Sequence, residues 1–175
     1  MSKVVDKYCA KLYIFSGLPG SGKSTLAQEL AKKLSATFLR IDTIEQALRD
    51  ICKMKNVEGE GYGVSYLIAK ENLFAGHDVI ADSVNPWAQT RDEWNEVAIS
   101  AGAKFVNIEV ICSDKTEHKL RVENRKVNVK NLLAPTWDEV LNRDYQEWHI
   151  RRLVIDTAGK SVEASVEELF SKLSL

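Results

Sequence analysis

The stretch Gly17-Leu18-Pro19-Gly20-Ser21-Gly22-Lys23-Ser24 decides the fold of this 175-residue chain. It fits the pattern GxxxxGK[ST] at every required position. A short apolar run, residues 12–16, stands before it and is typical of a strand buried on both faces of a parallel sheet. Leucines and alanines recur at helical spacing over residues 24–34 after it. Strand, glycine-bearing loop and helix follow one another, which is the context that a phosphate-binding loop requires.

The residue types in this loop match the chemistry of a nucleoside triphosphate bound with magnesium. Glycines let the backbone curl so that successive N–H groups point at phosphate oxygens, and the helix N-terminus adds partial positive charge. Lys23 supplies a cation for the β- and γ-phosphates, and the Ser24 hydroxyl can bind Mg²⁺. The predicted nucleotide-binding residues of the loop are Gly17, Leu18, Pro19, Gly20, Ser21, Gly22, Lys23, Ser24 and Thr25. We expect the nucleotide to be ATP.

Strand and helix patterns alternate along the chain, which predicts an α/β domain with a parallel sheet and helices on both of its faces. The strands are predicted over residues 12–16, 37–41, 78–81, 104–112 and 152–155. Capping-box patterns predict that helices start at Thr43, Thr90 and Thr136. Further helices are predicted over about 24–34, 64–75, 114–126 and 161–173, and a polar loop over 53–63. Without an internal repeat or a linker, residues 1–175 are expected to form one domain.

Composition and charge exclude several classes of function. The 24 Lys and Arg residues nearly balance 25 Asp and Glu residues, so no global positive field favours a polynucleotide or an anionic membrane. No apolar run reaches the length of a membrane span, and the charged start of the chain lacks a signal-peptide pattern, so we expect a soluble cytoplasmic protein. Scattered cysteines and histidines show no zinc-ligand spacing: Cys9, Cys52, Cys112, His77, His118 and His149.

Two other nucleotide-dependent classes are disfavoured by position. Residues 156–159 read DxxG, as in GTPases, but they lie on the last predicted strand, and the chain has no NKxD guanine signature. ATP-driven machines usually place a glutamate beside the aspartate that ends the metal-binding strand, to activate water. Here Ser83 follows Asp82. Phosphoryl transfer to a bound acceptor is therefore favoured over hydrolysis.

These features together resemble the small P-loop kinases, which include adenylate-kinase-like, gluconate-kinase-like, chloramphenicol-phosphotransferase-like and polynucleotide-kinase-like proteins. The resemblance rests on the GLPGSGKST start, on Asp42 and Asp82 at two strand ends, on Arg121 and Arg125, and on the turn after the last strand. It implies a three-layer α/β/α fold with a five-stranded parallel sheet of order 2-3-1-4-5. It also implies an acceptor cleft and a short helical lid at about residues 115–133.

On the acceptor side, Asp42 is similar to the residue that takes the proton of the acceptor hydroxyl in the phosphotransferase and polynucleotide kinase types. It follows a buried strand, so it should lie at the carboxyl edge of the sheet, where ligands bind. The alternative is an aspartate that only caps a helix. Asp42 is thus predicted to be both catalytic and acceptor-binding.

The end of the third strand provides the other predicted acceptor residues. Asp82 is similar to the acid that binds Mg²⁺, with Ser24, or contacts the acceptor, and the sequence does not decide between the two. Ser83 and Asn85 indicate a polar pocket, and Arg91 would meet a phosphate or carboxylate of the acceptor unless it is a surface arginine.

The lid and the last turn complete the predicted site. Arg121 and Arg125 stand four residues apart, hence on one helical face, and the resemblance implies that they clamp the transferring phosphoryl group. The alternative is a solvated face that pairs with acidic neighbours. Thr157, Ala158 and Gly159 occupy the turn that backs the adenine ring in these kinases. Lys23, Asp42, Arg121 and Arg125 are the predicted catalytic residues.

The sequence thus predicts an ATP-dependent kinase that phosphorylates a hydroxyl of a small-molecule or nucleotide acceptor. A polynucleotide 5′-hydroxyl kinase is the alternative within the same class, although the net charge does not indicate a basic groove. A regulatory or toxin-like ATP-binding module with slow turnover is the alternative from another class. Neither the acceptor nor the oligomeric state follows from the sequence.

Overall fold

The computed structural model describes residues 9–175, and residues 1–8 of the predicted domain lie outside the described part. The strands are β1 (Lys11–Ser16), β2 (Thr37–Arg40), β3 (Val79–Asp82), β4 (Lys104–Ile111) and β5 (Leu153–Asp156). The helices are α1 (Lys23–Leu34), α2 (Ile41–Asp50), α3 (Glu60–Phe74), α4 (Ala88–Ser100), α5 (Lys115–Glu123), α6 (Trp137–Leu141) and α7 (Val162–Leu173).

The five strands form one parallel sheet of order β2-β3-β1-β4-β5, which confirms the predicted fold class and strand order. β1 is central: Leu12 pairs with Val79 on one side and with Phe105 on the other. Side chains alternate between the two faces of a strand, so an apolar run can fill a core on each side. That is why the strand before the loop carries almost no polar residue.

Each face of the sheet has its own hydrophobic core. Leu12 and Ile14 of β1 pack on one face with residues of α3 and α4, among them Trp94, which is completely buried. Phe15 packs on the other face with Leu26 of α1 and other residues of α1 and α7. Helices therefore cover both faces and form the predicted three layers.

Two of the three capping-box helix starts are wrong, and α3 begins at Glu60, four residues before the predicted start. α2 begins at Ile41, directly after the last residue of β2, and no side chain caps it. Ile41 is buried in the core, so its packing outweighs the capping pattern at Thr43. α4 begins at Ala88, and the Thr90 hydroxyl donates a hydrogen bond back to the Trp87 carbonyl at 3.0 Å. The capping box of Thr136 and Glu139 at the start of α6 is confirmed.

The sheet brings five connections to one edge, because all its strands are parallel and their carboxyl ends lie together. The connection after β1 is the glycine-rich loop, and β2 leads straight into α2. The segments after β3, β4 and β5 meet at the same edge. Within residues 9–175, no helix has the length and apolar character needed to span a membrane.

Candidate active site

The phosphate loop, residues 17–24, is shaped by backbone conformations that favour glycine. Gly17 has φ +143°, and a Cβ there would lie 2.2 Å from the Val110 carbonyl oxygen of β4. The Gly17 N–H donates to the Val84 carbonyl at 3.1 Å, so the loop is held between the ends of β3 and β4. No side chain can replace this glycine without moving the sheet edge.

A buried cluster of charges lies where the loop meets β3. The Lys23 Nζ atom is 4.0 Å from Oδ1 of Asp82, and the Arg40 Nε atom is 3.8 Å from Oδ2. Asp82 is 1% exposed, and neither of its carboxylate oxygens has a hydrogen-bond partner in the described structure. Even beside two cations, a buried carboxylate that accepts no hydrogen bond is costly unless a ligand completes its hydrogen bonding. The cluster therefore fits a site that is completed by a cation or by a nucleotide phosphate.

The residues present fit a magnesium ion held partly by a nucleotide. Mg²⁺ prefers oxygen ligands and usually takes one or two protein groups together with water and phosphate oxygens. The Ser24 hydroxyl at the start of α1 and the Asp82 carboxylate oxygens, which accept no hydrogen bond in the described structure, are groups of this kind. Among residues 9–175, no group of three or more His, Cys, Asp or Glu side chains could hold a metal by itself. A magnesium ion here would thus depend on the nucleotide.

A cavity of about 550 Å³, here called the acceptor cavity, opens beside Lys23. Asp42 and Glu45 line it from α2, and Arg125 and Leu132 line it from the segment between α5 and α6. Its remaining charged or amide-bearing lining residues are Gln46, Arg49, Asn131, Glu139 and Arg143. Cations and carboxylates thus face one another across a space large enough for a small organic molecule.

Asp42 lies in the first turn of α2, not before a helix start as its sequence context indicated. Its Oδ2 atom is 3.5 Å from Nη2 of Arg40, which also faces Asp82 and donates from Nη1 to the Asn128 side chain at 2.6 Å. Arg40 thereby connects the two aspartates to the segment between α5 and α6. The side chain of Asp42 is 30% exposed, so an acceptor in the cavity can reach it.

Glu45 is a second carboxylate on this wall, three residues further along α2. Burial raises its pKa, while Arg49, 3.4 Å away, opposes that rise. A raised pKa makes a carboxylate a stronger base when it is ionised. Glu45 was not among the residues predicted from the sequence, although residues 42, 45 and 49 share one helical face by their spacing.

A smaller cavity of about 250 Å³ lies on the other side of the phosphate loop. It is lined by Gly22 and Thr25 of the loop region, by Arg121 of α5, by Thr157, and by the start of α7. The Thr157 hydroxyl lies 2.8 Å from the Ser21 carbonyl and accepts from Nη1 of Arg121 at 2.7 Å. It is called the nucleoside cavity here, because the resemblance to small P-loop kinases predicts that the turn at residues 157–159 backs the adenine ring.

The two turn residues after Thr157 act through their backbones. The Ala158 N–H donates to the Asp156 carboxylate at 3.0 Å, and the Gly159 N–H donates to Glu117 of α5 at 2.8 Å. Their small side chains leave the space above the turn open. The predicted adenine turn is thus anchored to both β5 and α5.

Arg121 and Arg125 do not share one helical face, which corrects the prediction. α5 ends at Glu123, so Arg125 belongs to the following segment and lines the acceptor cavity. Arg121 instead lines the nucleoside cavity, where it is paired with Glu117. The two predicted clamp arginines therefore line different cavities.

Three predicted acceptor residues lie away from the acceptor cavity. Ser83 and Asn85 are buried, and Asn85 donates from Nδ2 to the Ser16 hydroxyl at 3.0 Å. Arg91 is completely buried, and its guanidinium donates to four backbone carbonyls. Arg91 is neither a surface residue nor free for a ligand, because its donors are already satisfied. Trp87 also lies outside the cavity and donates to Asp144 at 2.9 Å.

The chain is similar to a protein-family model, to relatives with known names and to solved structures. The model of the family described as "AAA domain" matches residues 12–143. The chain belongs to this family.

Relatives named as kinases extend the match over most of the chain. A probable adenylyl-sulfate kinase of Halalkalibacterium halodurans is 28% identical over 170 residues, which cover 91% of this chain and 80% of the relative. A probable adenylyl-sulfate kinase of Aeropyrum pernix is 25% identical over 170 residues, covering 89% of this chain and 88% of the relative.

Solved structures show the same fold. The Mycobacterium tuberculosis APS kinase CysC in complex with AMPPNP and APS has a TM-score of 0.72 and 21% identity, covering 95% of this chain and 99% of its own. Chaetomium thermophilum Kti12 in complex with ADP-AlF3 has a TM-score of 0.69 and 21% identity, covering 93% and 97%. The resemblance to small P-loop kinases drawn from the sequence is confirmed, and the chain is an ATP-dependent P-loop kinase.

Proposed function

We propose that this kinase transfers the γ-phosphoryl group of ATP to a hydroxyl of a small-molecule or nucleotide acceptor in the acceptor cavity. The observation that carries the proposal is that Lys23 and Asp42 line the same cavity of about 550 Å³. Lys23 belongs to the phosphate loop and Asp42 to the wall across from it. A phosphoryl donor and a proton acceptor are thereby brought to one space.

In this proposal each residue has a defined task. Backbone N–H groups of the loop and the Lys23 ammonium hold the β- and γ-phosphates. Ser24 and Asp82 would hold a magnesium ion, which would supply positive charge to neutralise the charge that develops on the phosphates. Asp42 accepts the proton of the acceptor hydroxyl as the new O–P bond forms and the bond from the γ-phosphorus to ADP breaks. Arg125 stabilises the charge of the transferring group from the opposite wall.

The charges of the cavity indicate what kind of acceptor fits. Arg49, Arg125 and Arg143 can meet an anionic group, and the carboxylates of Glu45 and Glu139 can accept hydrogen bonds from hydroxyls. We therefore propose an acceptor that carries an anionic group as well as hydroxyls. Adenylyl sulfate, after which the relatives are named, is of this kind and is the first acceptor to test.

The alternatives from the sequence fare differently. None of the observations favours a polynucleotide 5′-hydroxyl kinase. The slow ATP-binding module is distinguished by kinetics: a kinase consumes ATP rapidly when its acceptor is supplied, whereas a switch does not respond to acceptors.

The proposal is tested by measuring ADP release with magnesium and ATP against a panel of acceptors. The panel contains adenylyl sulfate, gluconate, nucleosides, sugars, aminoglycosides and 5′-hydroxyl oligonucleotides. We expect at least one small anionic acceptor to accelerate ADP release and to leave as a phosphorylated product detected by mass spectrometry. ATP consumption that no acceptor changes would contradict the proposal.

Variants assign the roles once an acceptor is found. Lys23→Ala should abolish transfer while the circular dichroism spectrum stays native, and Asp42→Asn should slow transfer by about 10²–10⁴-fold, the usual contribution of a general base. Glu71→Gln, at an exposed position of α3, is the matched control and should leave the rate unchanged. If Asp42→Asn keeps its full rate while Glu45→Gln is slow, the base is Glu45. Unchanged transfer in Arg125→Ala would remove the role of Arg125.

A further inference from the structure

His118 of α5 is a buried histidine that the proposed reaction does not use. It is 7% exposed, and its Nε2 atom lies 2.8 Å from the carbonyl oxygen of Pro19 in the phosphate loop. A carbonyl oxygen only accepts hydrogen bonds, so Nε2 must carry the hydrogen. The ring thus donates to the loop, and His118 is not among the residues that line the acceptor cavity, although Pro19 is.

This contact fixes the orientation of one peptide group. The Pro19 carbonyl and the Gly20 N–H belong to the same planar peptide, and in a trans peptide these two groups point in opposite directions. With the carbonyl directed at His118, the Gly20 N–H is directed away from α5. It has no hydrogen-bond acceptor among residues 9–175, so it is left for a ligand.

Gly20 allows the Pro19–Gly20 peptide to adopt either of two orientations. Gly20 has φ +84°, and because glycine adopts both signs of φ at little cost, the Pro19–Gly20 peptide could turn over without strain at that residue. A hydrogen bond to one end of the peptide is then what selects the state in which the N–H faces inward. His118 supplies that bond.

The surroundings hold the histidine ring in place. Its ring packs edge-on against Trp137, the first residue of α6, with centroids 5.2 Å apart. Val122, one turn further along α5, lies so close to the loop that a Cβ on Gly20 would come within 2.6 Å of its methyl group. α5 therefore rests directly on the loop at Gly20.

We propose that His118 is a positioning residue for the nucleotide. It holds the Pro19–Gly20 peptide so that the Gly20 N–H donates to a phosphate oxygen, and it touches no reacting atom itself. The inference rests on nucleotide binding by the phosphate loop and is independent of the identity of the acceptor.

The test compares phosphate-bearing and phosphate-free ligands. His118→Phe keeps an aromatic ring against Trp137 but removes the donor, whereas His118→Gln keeps an amide N–H. AMP-PNP with magnesium should bind His118→Phe about 10- to 100-fold more weakly, since one charge-assisted hydrogen bond is lost. Adenosine, which has no phosphate, should bind the wild-type protein and His118→Phe with equal affinity. His118→Gln should recover part of the AMP-PNP affinity, and His77→Phe, at an exposed position, is the control.

Amide NMR of the wild-type protein provides a second readout that needs no variant. The Gly20 amide proton should move downfield when AMP-PNP is added and should not move with adenosine. An unmoved Gly20 amide, equal AMP-PNP affinity in His118→Phe, or an equal loss of adenosine and AMP-PNP affinity would each overturn the proposal. Failure of His118→Gln to recover any affinity would overturn the donor role. Absence of AMP-PNP binding in the wild type would instead contradict the nucleotide site itself.

Discussion

At the scale of single residues, Gly20 shows how a helix and a loop share one contact. Its φ of +84° favours glycine, and Val122 and His118 of α5 occupy the space where a side chain would stand. Gly76, at the end of α3, has nearly the same φ, +87°, but nothing lies within 4 Å of its Cβ position. The two glycines therefore have the same backbone requirement and differ in what surrounds them.

This difference predicts unequal effects of alanine. Gly76→Ala should lower the free energy of unfolding by about 1 kcal/mol, the cost of a left-handed conformation for an L-residue. Gly20→Ala should lower it by about a further 1–3 kcal/mol, because the methyl group collides with Val122 in a packed contact. Urea unfolding of both variants measures this. Equal losses of unfolding free energy in the two variants would mean that α5 shifts to accommodate the methyl group and is not packed tightly against the loop.

At the scale of elements, Arg91 joins the start of α4 to the segment before β5. Its guanidinium donates to the carbonyls of Asn85 and Pro86, and across the gap to those of Gln146 and Glu147. The rings of Trp148 and Tyr145 cover it at 4.1 and 5.0 Å. Burial lowers the pKa of this guanidinium, while the four carbonyls that accept from its N–H groups stabilise the charge inside the protein.

Removing this guanidinium should destabilise the whole protein. Arg91→Met fills similar space but leaves buried carbonyls without a donor, each worth about 1–3 kcal/mol, so we expect a loss of about 3 kcal/mol or more in the free energy of unfolding. Arg151→Met, at an exposed position, should change little. Thermal or urea unfolding distinguishes the two. A loss below about 1 kcal/mol would show that water replaces the guanidinium and that the segment is held by other contacts.

At the scale of the whole molecule, the candidate site is assembled from segments that lie far apart in the chain. The phosphate loop follows β1, the acceptor wall comes from α2, and the nucleoside turn follows β5. A ligand that contacts all of these should stabilise the folded state as a unit, because it binds the native form and not the unfolded chain.

Nucleotide binding should therefore raise the melting temperature. AMP-PNP with magnesium at about 100 times its Kd adds about 2.7 kcal/mol, which for a chain of this size is roughly 5–10 °C. Lys23→Ala should lose most of this shift relative to its own unliganded Tm, whereas Lys119→Ala, an exposed change on α5, should keep it. Differential scanning fluorimetry measures all three proteins. A full shift in Lys23→Ala would argue against a phosphate contact by Lys23.

The sequence by itself determined the donor side of this kinase. The apolar run, the glycine loop and the helix after it are adjacent in the chain, so their conformations follow from local sterics, glycine freedom and helix geometry. The alternation of strands and helices predicted a parallel sheet, and the resemblance to small P-loop kinases implied the strand order that the structure confirms. Local patterns were less reliable at Thr43 and Thr90, where core packing moved the helix starts.

Only the tertiary structure decided the acceptor side. Three features depend on contacts between residues that lie far apart in the chain: the cavity shared by Asp42 and Arg125, the burial of Arg91, and the contact of His118 with Pro19. Burial and pairing of a polar side chain are set by what the other elements place around it, and spacing along one element does not contain that information. The glycine loop that predicts nucleotide binding can thus be recognised in the sequence. Its contact with α5 can be recognised only in the folded molecule.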